Sequence, residues 1–317
     1  MKKTLLALVL AVAPLAAQRP SDPALLIPEV APELDYTVAP SAVTLPEGVT
    51  MGATAAVAFD AKGHIWVLAR GDKTFFEFDE SGKYLRSFGD RMTRAHGLRI
   101  DREGNLWATD VGAHTVIKVN PASGEVLLTL GTRGQSGMWD EAAGTRLFNQ
   151  PNDIAIAPSG DVFVIQGHTP GPGGDARVLK FDRTGKYLTQ WGGKGNGPGQ
   201  FQVAHGAAID AQGLLWVVDR ENQRIQVFDQ NGKYVREMKY AGLPCAVDIG
   251  RQYVYMVNGF AGQLLRLDLN GKVLAALGKP GKGPGEFGEA HFMAVSPKDD
   301  IYVADSVNGA LVKFVKK

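Results

Sequence analysis

One cysteine, Cys245, in 317 residues excludes an internal disulfide and any CxxC metal or redox pair. Charge of one sign is missing too: 34 Lys+Arg stand against 33 Asp+Glu, a formal net charge of +1. A nucleic-acid binder needs a concentrated basic face, so that class is set aside. The longest apolar run, Leu5 to Ala17, is broken by Pro14 and falls short of the roughly 20 residues a spanning helix needs. Beyond it no segment carries a 3.6-residue apolar period, which argues against a helical bundle. What is plentiful is turn formers, 39 Gly and 17 Pro without a collagen period.

Lys2 and Lys3 ahead of that short apolar run have the form of a secretory signal peptide over residues 1–17. A Pro-rich leader over 18–33 follows, and 34–317 is expected to form one domain. The expectation is an exported, secreted or periplasmic protein that is free of the membrane after export and monomeric.

The domain repeats. Trp66, Trp107, Phe163, Trp216, Tyr255 and Tyr302 each close a short strand, 39 to 56 residues apart. In each copy an apolar strand leads to a D-x-x-G type turn and a second strand, as in "FDAKGHIWVLAR", "IDREGNLWATD" and "IDAQGLLWVVD". A third strand and second turn follow in most copies, as in "IQVFDQNGKYV" and "VLKFDRTGKYL". Two hairpins per unit at this period make a four-stranded blade, and six units make a six-bladed β-propeller, an all-β fold. The sixth copy ends at "LVKFVKK" without its fourth strand, so an N-terminal strand near Leu34–Val43 is expected to close the ring. The connectors "GGKGNGPGQF" and "GKPGKGPGEF" read as inter-blade turns; they lack the helix and the Lys-Ser/Thr ending of a phosphate loop.

Eleven residues before the reference aromatics stand Ala55, His96, Asn152, His205, Pro244 and His291. Three of the six histidines thus share one repeat position in alternate blades, at the start of the strand that lines the channel. Three imidazoles converging on the axis are the ligand set of a catalytic metal with an open position. Zinc suits the donors, and iron, cobalt or manganese could use them as well. Just after the second strand come Arg70 in the first blade and Arg220 in the fourth, with His168 one position further on in the third. All three are placed at the mouth above the metal, where arginines can grip a carboxylate. Asp110, Asp219 and Asp305 end second strands and are expected to cap loops.

The blades resemble NHL repeats. Within that class "ARGD" at 69–72, "AHGLRID" at 95–101, "LWATDVGAHTVIKV" at 106–119, "PGQFQVAHG" at 198–206 and "DRENQRIQVF" at 219–228 resemble the catalytic core of peptidyl-α-hydroxyglycine α-amidating lyases. The resemblance implies that His96, His205 and His291 bind zinc and that Arg70 and Arg220 are active-site arginines. It also implies that the backbone carbonyls of Val57 and Leu98 bind a structural calcium. The sequence departs from the family's pattern where His168 replaces the active-site Tyr, Phe292 replaces the calcium-binding Asp, and Glu289 replaces a Met. The implied chemistry is cleavage of an N–C(OH) carbinolamide, a small α-hydroxylated amide or peptide, into an amide and glyoxylate. His168 is then the base or a hydrogen-bond donor, or alternatively a fourth metal ligand. A second reading is a non-catalytic propeller that binds a peptide or protein on its channel face. A lactonase-type propeller ranks last, because such sites use carboxylate and Asn ligands and only Asn152 is suitable among the six ring positions.

Overall fold

A computed structural model describes residues 19–170, 174–250 and 252–317; the expected signal peptide over 1–17 lies outside them. Six four-stranded antiparallel sheets follow one another around a ring. The first blade runs Ala53–Phe59, Ile65–Arg70, Lys73–Phe78 and Tyr84–Asp90. The inner strands of the next five are Ala95–Ile100, Pro151–Ile156, Ala204–Ile209, Pro244–Ile249 and Ala290–Val295. The sixth blade is completed by Tyr36–Val38, which pairs antiparallel with Leu311–Lys316, so the ring closes as the truncated last repeat requires. The leader is also tied down: Leu34 N donates to Ala276 O and Ala276 N to Pro32 O, each at 2.9 Å, along the outer edge of the fifth blade. Among the described residues no helix is long and apolar enough to cross a membrane.

The D-x-x-G turns hold the hairpins for a local reason. In "DAKGH" Asp60 Oδ1 accepts the amides of Lys62 and His64, both at 2.9 Å, and Gly63 takes the left-handed φ of 81° that ends the turn. The other Asp oxygen turns inward to an aromatic: Trp107 Nε1 donates to Asp101 at 3.0 Å and Trp216 Nε1 to Asp210 at 2.9 Å. Trp107 and Trp216 are each only 1% exposed, so the residue that set the repeat phase is also a packing centre between blades. At about 25 cal/mol per Å² of apolar surface such rings dominate the inter-blade core. The capping expectation for the strand-end acids holds: Asp110 accepts the amides of Thr93 and Arg94, each at 2.8 Å, and Asp305 those of Gly288 at 2.8 Å and Glu289 at 3.1 Å.

The two glycine-rich connectors fold alike. Lys194 bridges Phe201 in parallel, and Lys279–Pro280 pairs in parallel with Glu286–Phe287. Asn222 and Asn308, from the blade that follows each connector, donate to Gly195 O at 2.9 Å and Gly281 O at 2.8 Å. These loops fix where the fourth and sixth inner strands begin, and hence where His205 and His291 stand.

Candidate metal centre

Each inner strand is irregular near its start. The ladder slips between Thr54 and Ala56, Ala95 and Leu98, Pro151 and Asp153, Ala204 and Gly206, Pro244 and Ala246, and Ala290 and Phe292. A bulge frees one residue from pairing and re-aims its side chain, here toward the axis. The residues at the bulges are Ala55, His96, Asn152, His205, Cys245 and His291. The count from the aromatics placed Pro244 in the fifth blade; Cys245 holds that place, because the hairpin from Ile249 to Tyr255 is one residue shorter than that from Ile209 to Trp216.

Alternate blades divide the work. His96 Nδ1 lies 2.8 Å from Asn152 O, His205 Nδ1 2.8 Å from Cys245 O, and His291 Nδ1 2.8 Å from Ala55 O. Since a carbonyl only accepts, each Nδ1 carries the proton, and Nε2 is left as a lone-pair donor facing the axis. A backbone carbonyl that fixes the tautomer is the usual outer support of a metal-bound imidazole. Gly97 and Gly206 make the approach possible, since a Cβ on either would come within 2.7 Å of the accepting carbonyl's oxygen. That is the physical content of the "AHG" motif in the second and fourth blades.

One ring nitrogen from each histidine, the set that could hold a metal ion, lies within 4.8 Å of the other two, with ring centroids 4.6, 4.8 and 5.2 Å apart. Nε2 of His96 and of His205 is buried without a partner. An orphaned lone pair of this kind is costly, and a shared cation would satisfy both. Burial, followed for His96 by the neighbouring histidines and for His205 by Arg220, pushes both far below the ordinary value near 6.5, so the neutral, metal-binding form prevails. The residues fit a metal ion.

Around the triad the mouth is crowded with charge. Arg70 Nε donates to Ala95 O at 2.9 Å, while its Nη2 is buried and unpartnered. Burial, and then Arg94 beside it, push Arg70 down to about 10. Arg220 is gripped by Glu221 at 3.0 and 2.7 Å; burial opposes its charge, but Glu221 and its neighbours hold the value above the ordinary one. The His168 ring centroid is 5.0 Å from that of His96 and 5.6 Å from that of His205. His168 stands outside the set of three close nitrogens, beside the metal position. Two further charged groups share one repeat position, two residues before a histidine of the triad. Arg94 has a buried, unpartnered Nε. Glu289, 1% exposed, accepts from the Ser306 hydroxyl and lies 4.0 Å from Arg220 Nη1. Arg94 went unremarked in the sequence, although its offset from His96 is that of Glu289 from His291.

The calcium expectation fares differently. Val57 and Leu98 do lie on inner strands, but Leu98 O accepts from Arg99 Nη1 at 2.9 Å, and Phe292 fills the place of the family's carboxylate. A guanidinium on one of the two carbonyls does not fit a calcium ion there.

Fold and site together define the class: this is a six-bladed β-propeller with an axial histidine triad able to hold a metal. Residues 174–264 match a protein family described as a six-bladed β-propeller. The chain is 34% identical over 264 residues to rat peptidylglycine α-amidating monooxygenase, covering 72% of this chain and 25% of that one. It is 29% identical over 224 residues to the Drosophila melanogaster peptidyl-α-hydroxyglycine α-amidating lyase 1, covering 59% and 39%. The chain therefore spans well under half the length of either relative. A gluconolactonase from Xanthomonas campestris superposes with a TM-score of 0.62 at 16% identity, covering 84% of this chain and 86% of that one, a likeness of fold alone. The resemblance to the amidating-lyase proteins thus rests on sequence as well as on the ring.

Proposed function

We propose that the protein is a metal-dependent, and specifically zinc-dependent, lyase that cleaves an N–C(OH) carbinolamide bearing a carboxylate into an amide and glyoxylate. The observation that carries this reading is the pairing of three carbonyl-oriented histidines with unpartnered guanidinium N–H groups at one mouth. Zinc held by Nε2 of His96, His205 and His291 would supply the Lewis acidity that lowers the pKa of a substrate hydroxyl. Arg70 Nη2 and Arg94 Nε, both without partners, offer donors to the substrate carboxylate. Arg220, tied to Glu221, adds positive charge and fixes the wall. Counting three arginines against Glu221 and Glu289 leaves one net positive charge, which suits a monocarboxylate.

His168 is the group placed to take the hydroxyl proton. Burial, then Arg220 and Arg94, hold it well below the ordinary value, so it is neutral and its lone pair is free at neutral pH. As the hydroxyl O–H electrons form the new C=O, the C–N bond breaks, and the amide nitrogen collects the proton. Export to a periplasm or beyond, by the segment before residue 18, belongs to the same proposal. The test is glyoxylate release from an α-hydroxyglycine-extended peptide and from α-hydroxyhippurate by zinc-loaded protein. Zinc-dependent release supports the lyase reading. Stoichiometric zinc with no release from either substrate sinks it and leaves a binding propeller.

A further inference from the structure

We infer that the Arg99 guanidinium is the built-in cation of the channel, standing where the family resemblance would put calcium, and that it positions the ligand ring above it. Arg99 lies three residues beyond His96 on the same inner strand. It joins three consecutive blades: Nη1 donates to Leu98 O of the second at 2.9 Å, and Nη2 to Asp153 Oδ2 of the third at 2.5 Å and to Ala207 O of the fourth at 3.1 Å. Ala207 N donates to the same Asp153 oxygen at 3.0 Å, so the knot is continuous. Its guanidinium carbon is 5.8 Å from the centre of the Phe292 ring in the sixth blade, a cation–π distance. That ring in turn stacks on His205 with centroids 5.6 Å apart.

Every member is coupled to the triad by one or two residues. Asp153 follows Asn152, whose carbonyl fixes His96. Leu98 and Ala207 stand two residues after His96 and His205. Asp153 is fully buried, and a lone buried carboxylate there would be expensive; the guanidinium offsets it. Two backbone carbonyls and a carboxylate around one point are oxygen donors of the kind calcium takes, and Arg99 fills that point with a charge of its own. A cavity of about 240 Å³, lined by Val57, Leu98, Arg99, Asp248 and Met293 and by no histidine, reaches Arg99.

The experiment compares the wild type with Arg99→Met by thermal unfolding in calcium-free, chelator-free buffer and in millimolar CaCl2, with calcium content measured by elemental mass spectrometry and zinc affinity by competition with a chelating dye. The wild type is expected to hold no calcium and to melt at the same temperature in both buffers. Arg99→Met should melt several degrees lower, regain part of the loss in CaCl2, and bind zinc about 10-fold or more weakly, the cost seen when outer supports of a metal site are removed. One equivalent of calcium in the wild type, or a lower melting temperature in the calcium-free buffer than in CaCl2, overturns the inference, and this arm stands even if the variant fails to fold. So does an Arg99→Met protein that melts like the wild type, or one that melts low and ignores calcium. None of these outcomes depends on the lyase reading.

Discussion

Arg70 carries a cost that folding alone does not require, and removing it gives a prediction with a sign. The guanidinium is buried at the mouth, makes one hydrogen bond, to Ala95 O at 2.9 Å, and leaves Nη2 unpartnered. Burial and the neighbouring Arg94 bring it from the ordinary guanidinium value down to about 10. At about 1.4 kcal/mol per pH unit, that gap corresponds to about 3 kcal/mol of destabilisation carried by the charged form. Arg70→Met keeps the unbranched stem and deletes the charge. Against this gain stands Ala95 O losing its partner, about 1 kcal/mol. The net expectation is a protein about 1–2 kcal/mol more stable, with a melting temperature raised by about 2–6 °C. Catalysis should fall at the same time, because a residue strained in the empty fold is retained for its ligand. Differential scanning calorimetry of the zinc-free protein reads the first quantity, and kcat/KM for glyoxylate release the second. A variant that melts lower than the wild type would refute the reasoning, as would one that keeps full kcat/KM.

Three further expectations follow from the same geometry. Asp305→Ala strands the amides of Gly288, Glu289, Val307 and Asn308, now accepted at 2.8 to 3.1 Å; at about 1 kcal/mol each, the loss is about 4 kcal/mol, read as a melting temperature about 8–16 °C lower. His168→Phe should retain zinc and lose about 100-fold or more in kcat; unchanged turnover removes His168 from the chemistry, and loss of zinc makes it a ligand. For the metal-free protein, burial lowers the folded values of His96, His168, His205 and His291 well below 6.5. The unfolded chain therefore binds more protons below that value, and stability, complete above about pH 6.5, should fall by about 1.4 kcal/mol per pH unit per histidine on acidification. Urea titrations between pH 7 and pH 5 measure the slope, and a flat profile contradicts it.

Much of this was legible in the sequence because the repeat imposes a register. An aromatic that must pack between blades, and a turn Asp that must bond it, fix the phase to within a residue. Three histidines at one phase can then only converge. The register failed by one at Cys245, where the hairpin that follows is shorter, and nothing in "IGRQYVY" marks which residue was lost. Arg94 was not legible because its loop has no repeating pattern; only its offset from His96, matched by Glu289 before His291, could have found it. The calcium expectation shows a different limit. Phe292 announced the missing carboxylate, but the compensating cation sits on another blade, and only the closed ring brings Arg99 to Leu98, Asp153 and Ala207.

The central claim is that the channel histidines form one metal centre. Elemental mass spectrometry of the purified protein, beside a His96→Ala/His205→Ala variant whose fold is checked by circular dichroism, tests it most directly. The account predicts one zinc per chain in the wild type and none in the folded variant. A wild-type protein that holds no transition metal, even after reconstitution with zinc, iron, cobalt or manganese, would contradict it.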